Sequence, residues 1–168
     1  MSKLTEFRKS KDEIFKKEPD SPLTDDQKKS FKRLHYFPEN TNLKFTVKVE
    51  EFPVKDEILI QTSKGDVQEY QRYGRFEFEV NGEKATLTLY TSETGYFLPF
   101  VDSLAGKKTY PAGRYLEVES LGHGKFEVDF NYAYNPYCAY NDRWSCPLAP
   151  FENRLKVPIE AGEKKYHE

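Results

Sequence analysis

The sequence predicts a mainly β fold, an antiparallel barrel or sandwich-like single domain with an N-terminal helical extension; an α+β arrangement is the alternative. Three observations lead there. Residues 1–37 carry helical spacing, residues 42–160 change to a period of two, and an Asn-Gly dipeptide joins the two clearest alternating runs. A chain of 168 residues has the length of one domain with one substantial core.

The first element is a helix. Leu4, Phe7, Ile14 and Phe15 fall on one face, opposite a solvated face rich in Lys and Glu. Pro19, Ser21 and Pro22 interrupt it. A second helix starts at Thr24, where Gln27 completes a capping box, and it buries Phe31 and Leu34 before Pro38. From Leu43 the pattern alternates: Leu43, Phe45, Val47 and Val49 against Lys44, Thr46, Lys48 and Glu50. A strand over 57–63 follows, then a turn at Lys64-Gly65-Asp66. Phe76, Phe78 and Val80 face Ala85, Leu87 and Leu89 across Asn81-Gly82, the dipeptide that a type I′ turn favours. A second hairpin pairs the run from Arg114 with the run through Phe126, Val128 and Phe130, joined by 120–124. A last strand over 154–159 contains Pro158, which puts it at an edge.

Composition narrows the function. Only 37% of the chain is hydrophobic, yet 15% is aromatic, so the core is built from few, large rings. Charged residues reach 32% with a net charge of −2, a balance that argues against nucleic-acid binding and against a polybasic membrane anchor. No apolar run approaches the roughly 20 residues that span a bilayer. The N-terminus lacks the apolar core of a signal peptide, so a cytoplasmic location with reduced thiols is expected.

The chemistry-bearing residues concentrate between Asp129 and Asn153, a run of rings, amides and prolines that is neither plain strand nor plain helix. Arg114 shares its expected face with Leu116 and Val118. A guanidinium there binds an anionic ligand or clamps Asp102, Asp142 or Glu152. Tyr137, Tyr140 and Trp144, with Asn135 and Asn153, either line a pocket at a barrel mouth or plug one end of the sheet. Asp129, Asp142 and Glu152 are candidate acid–base carboxylates, or ordinary surface acids. Cys138 and Cys146 lie too far apart in sequence for a C-x-x-C motif. With His123 they make a weak metal set that lacks a fourth ligand, and the pair is otherwise a disulfide or two buried thiols. No G-x-S-x-G elbow, G-x-G-x-x-G or phosphate loop occurs, and no cofactor is expected.

The runs GRYLEVE and DFNYAYNPYCAYNDRWSCPLAPFENRLKVPIEAGEK, with YFLPFVDSLAGKKTYPAG, YGRFEFEVNG and SPLTDDQKKSFKRLHYFPEN before them, closely resemble the bacterial and archaeal proteins grouped as domain of unknown function family 1684. The resemblance covers nearly the whole chain. It implies that Tyr110, Gly113, Arg114, Asp129, Asn131, Asn135, Pro136, Cys138, Tyr140, Trp144, Cys146, Pro147, Glu152 and Asn153 form one recurring motif. It carries over no activity, substrate or cofactor.

The leading functional expectation is a soluble protein that binds a small polar or anionic organic ligand. Its pocket would lie under residues 129–153, with Arg114 supplying the charge. A hydrolase- or isomerase-like enzyme using the three carboxylates comes second, and a protein-interaction module third. Oligomeric state has no signal in the chain.

Overall fold

In the computed structural model, which describes residues 2–167, the chain opens with α1 (Lys3–Lys17) and α2 (Asp25–Ser30). Ser2 caps α1 by accepting from the Thr5 amide, and Thr24 and Gln27 form the expected capping box. α2 stops at Ser30, so Phe31 and Leu34 are buried from an extended segment. The buried face of α1 is also narrower than its spacing implies. Leu4 and Phe15 are buried, whereas Phe7 and Ile14 are exposed. Phe7 meets Tyr132 edge-on instead, with ring centroids 5.0 Å apart.

Eight strands follow: β1 (Lys44–Lys48), β2 (Glu50–Glu51), β3 (Glu57–Gln61), β4 (Val67–Val80), β5 (Glu83–Ser92), β6 (Gly95–Phe100), β7 (Arg114–Gly122) and β8 (Lys125–Asp129). They build one antiparallel sheet in the order β1-β8-β7-β6-β5-β4-β2, with β3 paired to β4. β1 and β2 stand at opposite ends of that order, yet only Val49 separates them in the chain. One bend at Val49 therefore brings the two sheet edges together, and the sheet becomes a nearly closed barrel. The Val49 amide donates to the Gly124 carbonyl at 2.8 Å, which fixes the bend to the β7–β8 turn. β4 crosses the bend at Gly74, beside a bulge. A Cβ on Gly74 would lie 2.6 Å from the Glu50 carbonyl oxygen and 2.7 Å from Val49 Cγ1.

The interior is filled by rings. Phe130 is fully buried, with Phe45, Phe78 and Phe100 around it at centroid distances of 6.1, 5.5 and 5.3 Å. The Asn81-Gly82 turn has the expected positive φ at both residues, 52° and 83°. A second, smaller cluster joins Phe15, Leu23, Phe31 and Leu34 to Tyr140, and it seats the N-terminal segment on the barrel.

Two features of the sheet also depart from the sequence reading. β6 is an additional central strand, despite Pro99 within it. It pairs with β5 only from Tyr90–Phe97 to Ser92–Gly95 and then peels away. Asn153 fills the gap. Its Nδ2 donates to the carbonyls of Thr88 and Pro99, both at 2.8 Å, and its Oδ1 accepts from the Thr88 amide at 2.8 Å. The run 154–159, expected as a final edge strand, makes a single bridge, Val101 with Arg154. Leu155, Val157 and Ile159 are buried as alternation requires. Pro158 has no amide to donate, and the Ile159 amide goes to the Asp102 carboxylate at 2.8 Å, so no ladder forms.

Gly74→Ala is expected to destabilise the protein by about 1–3 kcal/mol, because Val49 or Glu50 must move to admit the methyl group. Chemical denaturation measures this, and an unchanged midpoint would show that closure at Val49 is not tight.

Candidate functional site

Arg114 opens β7 on the same inward face as Leu116 and Val118, and it is 1% exposed. Its Nη1 donates to the carbonyls of Ala161 (2.5 Å) and Glu163 (3.0 Å), and its Nη2 to that of Ile159 (2.9 Å). The Asp102 carboxylate stands 3.7 Å from Nη2, and the Phe100 ring lies 5.2 Å from the guanidinium carbon. Burial pulls the Arg114 pKa down to about 10 against the raising effect of Asp102 and Glu163, which leaves it cationic at neutral pH. Arg114, expected to charge a ligand pocket, is thus held by main-chain carbonyls and Asp102. Its donors are taken by the C-terminal segment, and it lines none of the cavities described here.

The 129–153 run is mostly a clasp. The Trp144 indole, Asn141 and Arg143 all donate to the Pro22 carbonyl, at 2.9, 2.8 and 3.1 Å. One loop thus holds the linker between α1 and α2. Tyr140 is the plug: its ring packs edge-on against Phe15 and Tyr166, and its hydroxyl donates to Glu163 Oε1 at 2.6 Å. Glu163, 1% exposed, also accepts from Lys11 at 2.5 Å. Asn135 is buried and donates to the Lys164 carbonyl at 2.9 Å, while Asn153 bridges β5 and β6. Of the expected ligand-binding residues only Tyr137 lines a described cavity, a groove of about 450 Å³ shared with Phe7, Leu116, Tyr132 and Tyr134.

The three candidate carboxylates do not line any described cavity. Asp129 accepts from the Asn131 backbone and side-chain amides at 3.0 and 2.8 Å, starting a tight turn. Asp142 is exposed on the clasp loop. Glu152 accepts from Arg72 Nε (3.1 Å) and Nη2 (2.7 Å), from Thr88 (3.2 Å) and from the Tyr90 hydroxyl. Burial pushes the Glu152 pKa up, but these donors outweigh it and the net shift is downward, opposite to that of a general acid. His123 sits in the β7–β8 turn with φ 55°. The two cysteines lie elsewhere, against the β3–β4 turn at Ser63. No group of three His, Cys, Asp or Glu has metal-binding geometry among the described residues.

Where α1, the Arg33–Tyr36 segment, Lys108 and the C-terminal tail converge, a cavity of about 500 Å³ carries most of the chemistry. Arg8, Arg33, Lys108, Lys164 and Lys165 line it against a single acid, Asp12, in a chain whose net charge is −2. Arg8 is half-buried. Its Nη1 donates to the Phe37 carbonyl at 3.1 Å and Nη2 to that of Asn131 at 3.4 Å, and its guanidinium stacks 4.3 Å over the Tyr36 ring. Arg8 Nε and the Tyr36 hydroxyl, however, are buried without a hydrogen-bond partner among the described residues. Burial lowers the Arg8 pKa and raises those of Tyr36 and Asp12. Each unsatisfied buried donor costs about 1–3 kcal/mol. Sequence reading missed this site because Arg8 belongs to an ordinary solvated helix face and Lys164 and Lys165 to the chain end.

Comparison with known proteins places the chain in a family. The family model described as "Protein of unknown function (DUF1684)" matches residues 29–164, and the chain belongs to that family. The solution NMR structure of an uncharacterized protein from Haloarcula marismortui is similar over 98% of this chain and 94% of that one, with 30% identity and a TM-score of 0.75. No curated protein matches the chain.

Arg114→Ala is expected to cost about 3–5 kcal/mol, since it removes the only cation beside the buried Asp102 carboxylate among the described residues and leaves three carbonyls without their donor. Denaturant unfolding measures the loss. A cost below about 1 kcal/mol would contradict the clamp.

Proposed function

We propose that this DUF1684 member binds a small organic anion, bearing a phosphate or carboxylate group, in the cavity beside Arg8 and Tyr36. The observation that carries the reading is the pair of buried donors, Arg8 Nε and the Tyr36 hydroxyl, left without partners on two residues that line a cavity with five cationic side chains. A guanidinium and a phenol offer directional bonds to an oxyanion. Arg33, Lys108, Lys164 and Lys165 supply the surrounding field. Leu34 and the Tyr36 ring offer apolar surface to the organic part of the ligand. The binding reading of the sequence is kept; its location moves from the 129–153 clasp to the seam beneath α1. A cytoplasmic setting is part of the proposal. It is supported by two free cysteines and by the lack, among the described residues, of any helix long and apolar enough to cross a membrane.

Tyr36→Phe keeps the ring under Arg8 and removes only the unpartnered hydroxyl. Without ligand the variant should be as stable as the parent, or up to about 1 kcal/mol more stable. Its affinity for pyrophosphate or citrate, read by isothermal titration calorimetry, should fall several-fold. Asp12→Asn retains the Oδ1 that accepts from the Leu34 amide at 2.9 Å and removes the one opposing charge, so anion affinity should rise. Both affinities should weaken with added salt. Reduced stability with undiminished affinity in Tyr36→Phe would overturn the reading.

A further inference from the structure

Cys138 and Cys146 have no part in the anion cavity. They form a second centre of potential chemistry, against Tyr110 and the β3–β4 turn at Ser63. Cys138 is half-buried and Cys146 is buried, and both are free thiols. The Cys138 amide donates to Cys146 Sγ at 3.3 Å, which puts the two cysteines in direct contact. The Tyr110 hydroxyl donates to Cys138 Sγ at 3.6 Å. The neighbouring chain holds both cysteines in place. The Cys146 amide donates to Ser63 Oγ at 3.2 Å, and its carbonyl accepts from the Ser63 amide at 2.9 Å. Between them, residues 139–145 are tied to the Pro22 carbonyl by the clasp.

Those contacts favour an ionised Cys138. Hydrogen bonds from Cys146, Tyr110 and Ser63 draw its pKa below the usual thiol range, towards about 6, although burial opposes them. Cys146, as the donor of the shared proton, is held well above that range. Cys138, half-buried, is also the more accessible of the two sulfurs, and Cys146 is the buried one.

We propose that Cys138 and Cys146 are a thiol-oxidation site, in which Cys138 reduces a small hydroperoxide and Cys146 resolves the product to an intramolecular disulfide. In the first step the Cys138 thiolate attacks the peroxide oxygen. An S–O bond forms, the O–O bond breaks, and the leaving alkoxide or hydroxide takes a proton to leave as alcohol or water. In the second, the Cys146 sulfur attacks the sulfenic acid, the S–S bond forms, and water leaves with the Cys146 proton. Two thiols and one hydroperoxide thus yield one disulfide, one alcohol or water, and one water. The disulfide would close the 139–145 loop and lock the clasp on the α1–α2 linker.

The test is a hydrogen peroxide titration of the reduced protein, followed by mass spectrometry and thiol counting. The expected result is concerted loss of both thiols, a mass lower by two hydrogen atoms, and full recovery with dithiothreitol. Cys146→Ser should stop at a Cys138 sulfenic acid that dimedone captures. In Cys138→Ser, the thiol at 146 should be lost roughly tenfold more slowly than the parent pair. The wild-type readout stands even if a variant folds poorly. Oxygen addition to the parent without disulfide formation would overturn the proposal, as would equal oxidation rates in Cys138→Ser and the parent.

Discussion

A buried guanidinium organises this molecule. Arg114 sits at the end of an apolar face, where an unpaired charge would be untenable, and its partners are the main-chain carbonyls of Ile159, Ala161 and Glu163. Ile159 and Ala161 join no strand, because Pro158 breaks the ladder and Asp102 takes the Ile159 amide, while Glu163 makes a single bridge, to Tyr36. The arginine therefore does for the C-terminal tail what a neighbouring strand would do elsewhere. Fixing the tail places Glu163 under Tyr140 and Lys11, which docks the N-terminal helix. The same tail then delivers Lys164 and Lys165 to the cavity beside Arg8. Fold and candidate site share one anchor.

The barrel itself leaves little room for a ligand. Its ends meet through a one-residue bend at Val49, and its interior is packed by Phe45, Phe78, Phe100 and Phe130 around one another. Binding chemistry is displaced to the seams between barrel, helix and tail. Seams formed by charged helix faces and the C-terminal tail collect cations, which accounts for the five basic side chains around the Arg8–Tyr36 cavity. The dithiol lies at another seam, between the clasp and the β3–β4 turn.

Much of this architecture is legible in the sequence, where local rules act alone. The Thr24–Gln27 capping box, the Asn81-Gly82 turn and the inward set of β7 and β8 all follow from neighbours in the chain. β6 escapes because Pro99 argues against a central strand, and only the distant Asn153 amide makes that position tolerable. The 154–159 run escapes for the converse reason: its alternation is real, but its amide partner is a carboxylate. The motif from Asp129 to Asn153 is visible as unusual, while its work as a clasp depends on the Pro22 carbonyl more than a hundred residues away. The cavity left no trace in the sequence, since its cations come from four separate segments with unremarkable local patterns.

The central claim is that the seam beside Arg8 and Tyr36 is a built anion site. The most direct measurement is a titration of isotopically labelled protein with pyrophosphate, followed by amide chemical shifts. Saturable shifts confined to Arg8, Asp12, Leu34–Tyr36, Lys108 and Lys164–Lys165 are predicted. Unsaturated shifts scattered over exposed lysines such as Lys44 and Lys84, with the cavity residues unmoved, would contradict it.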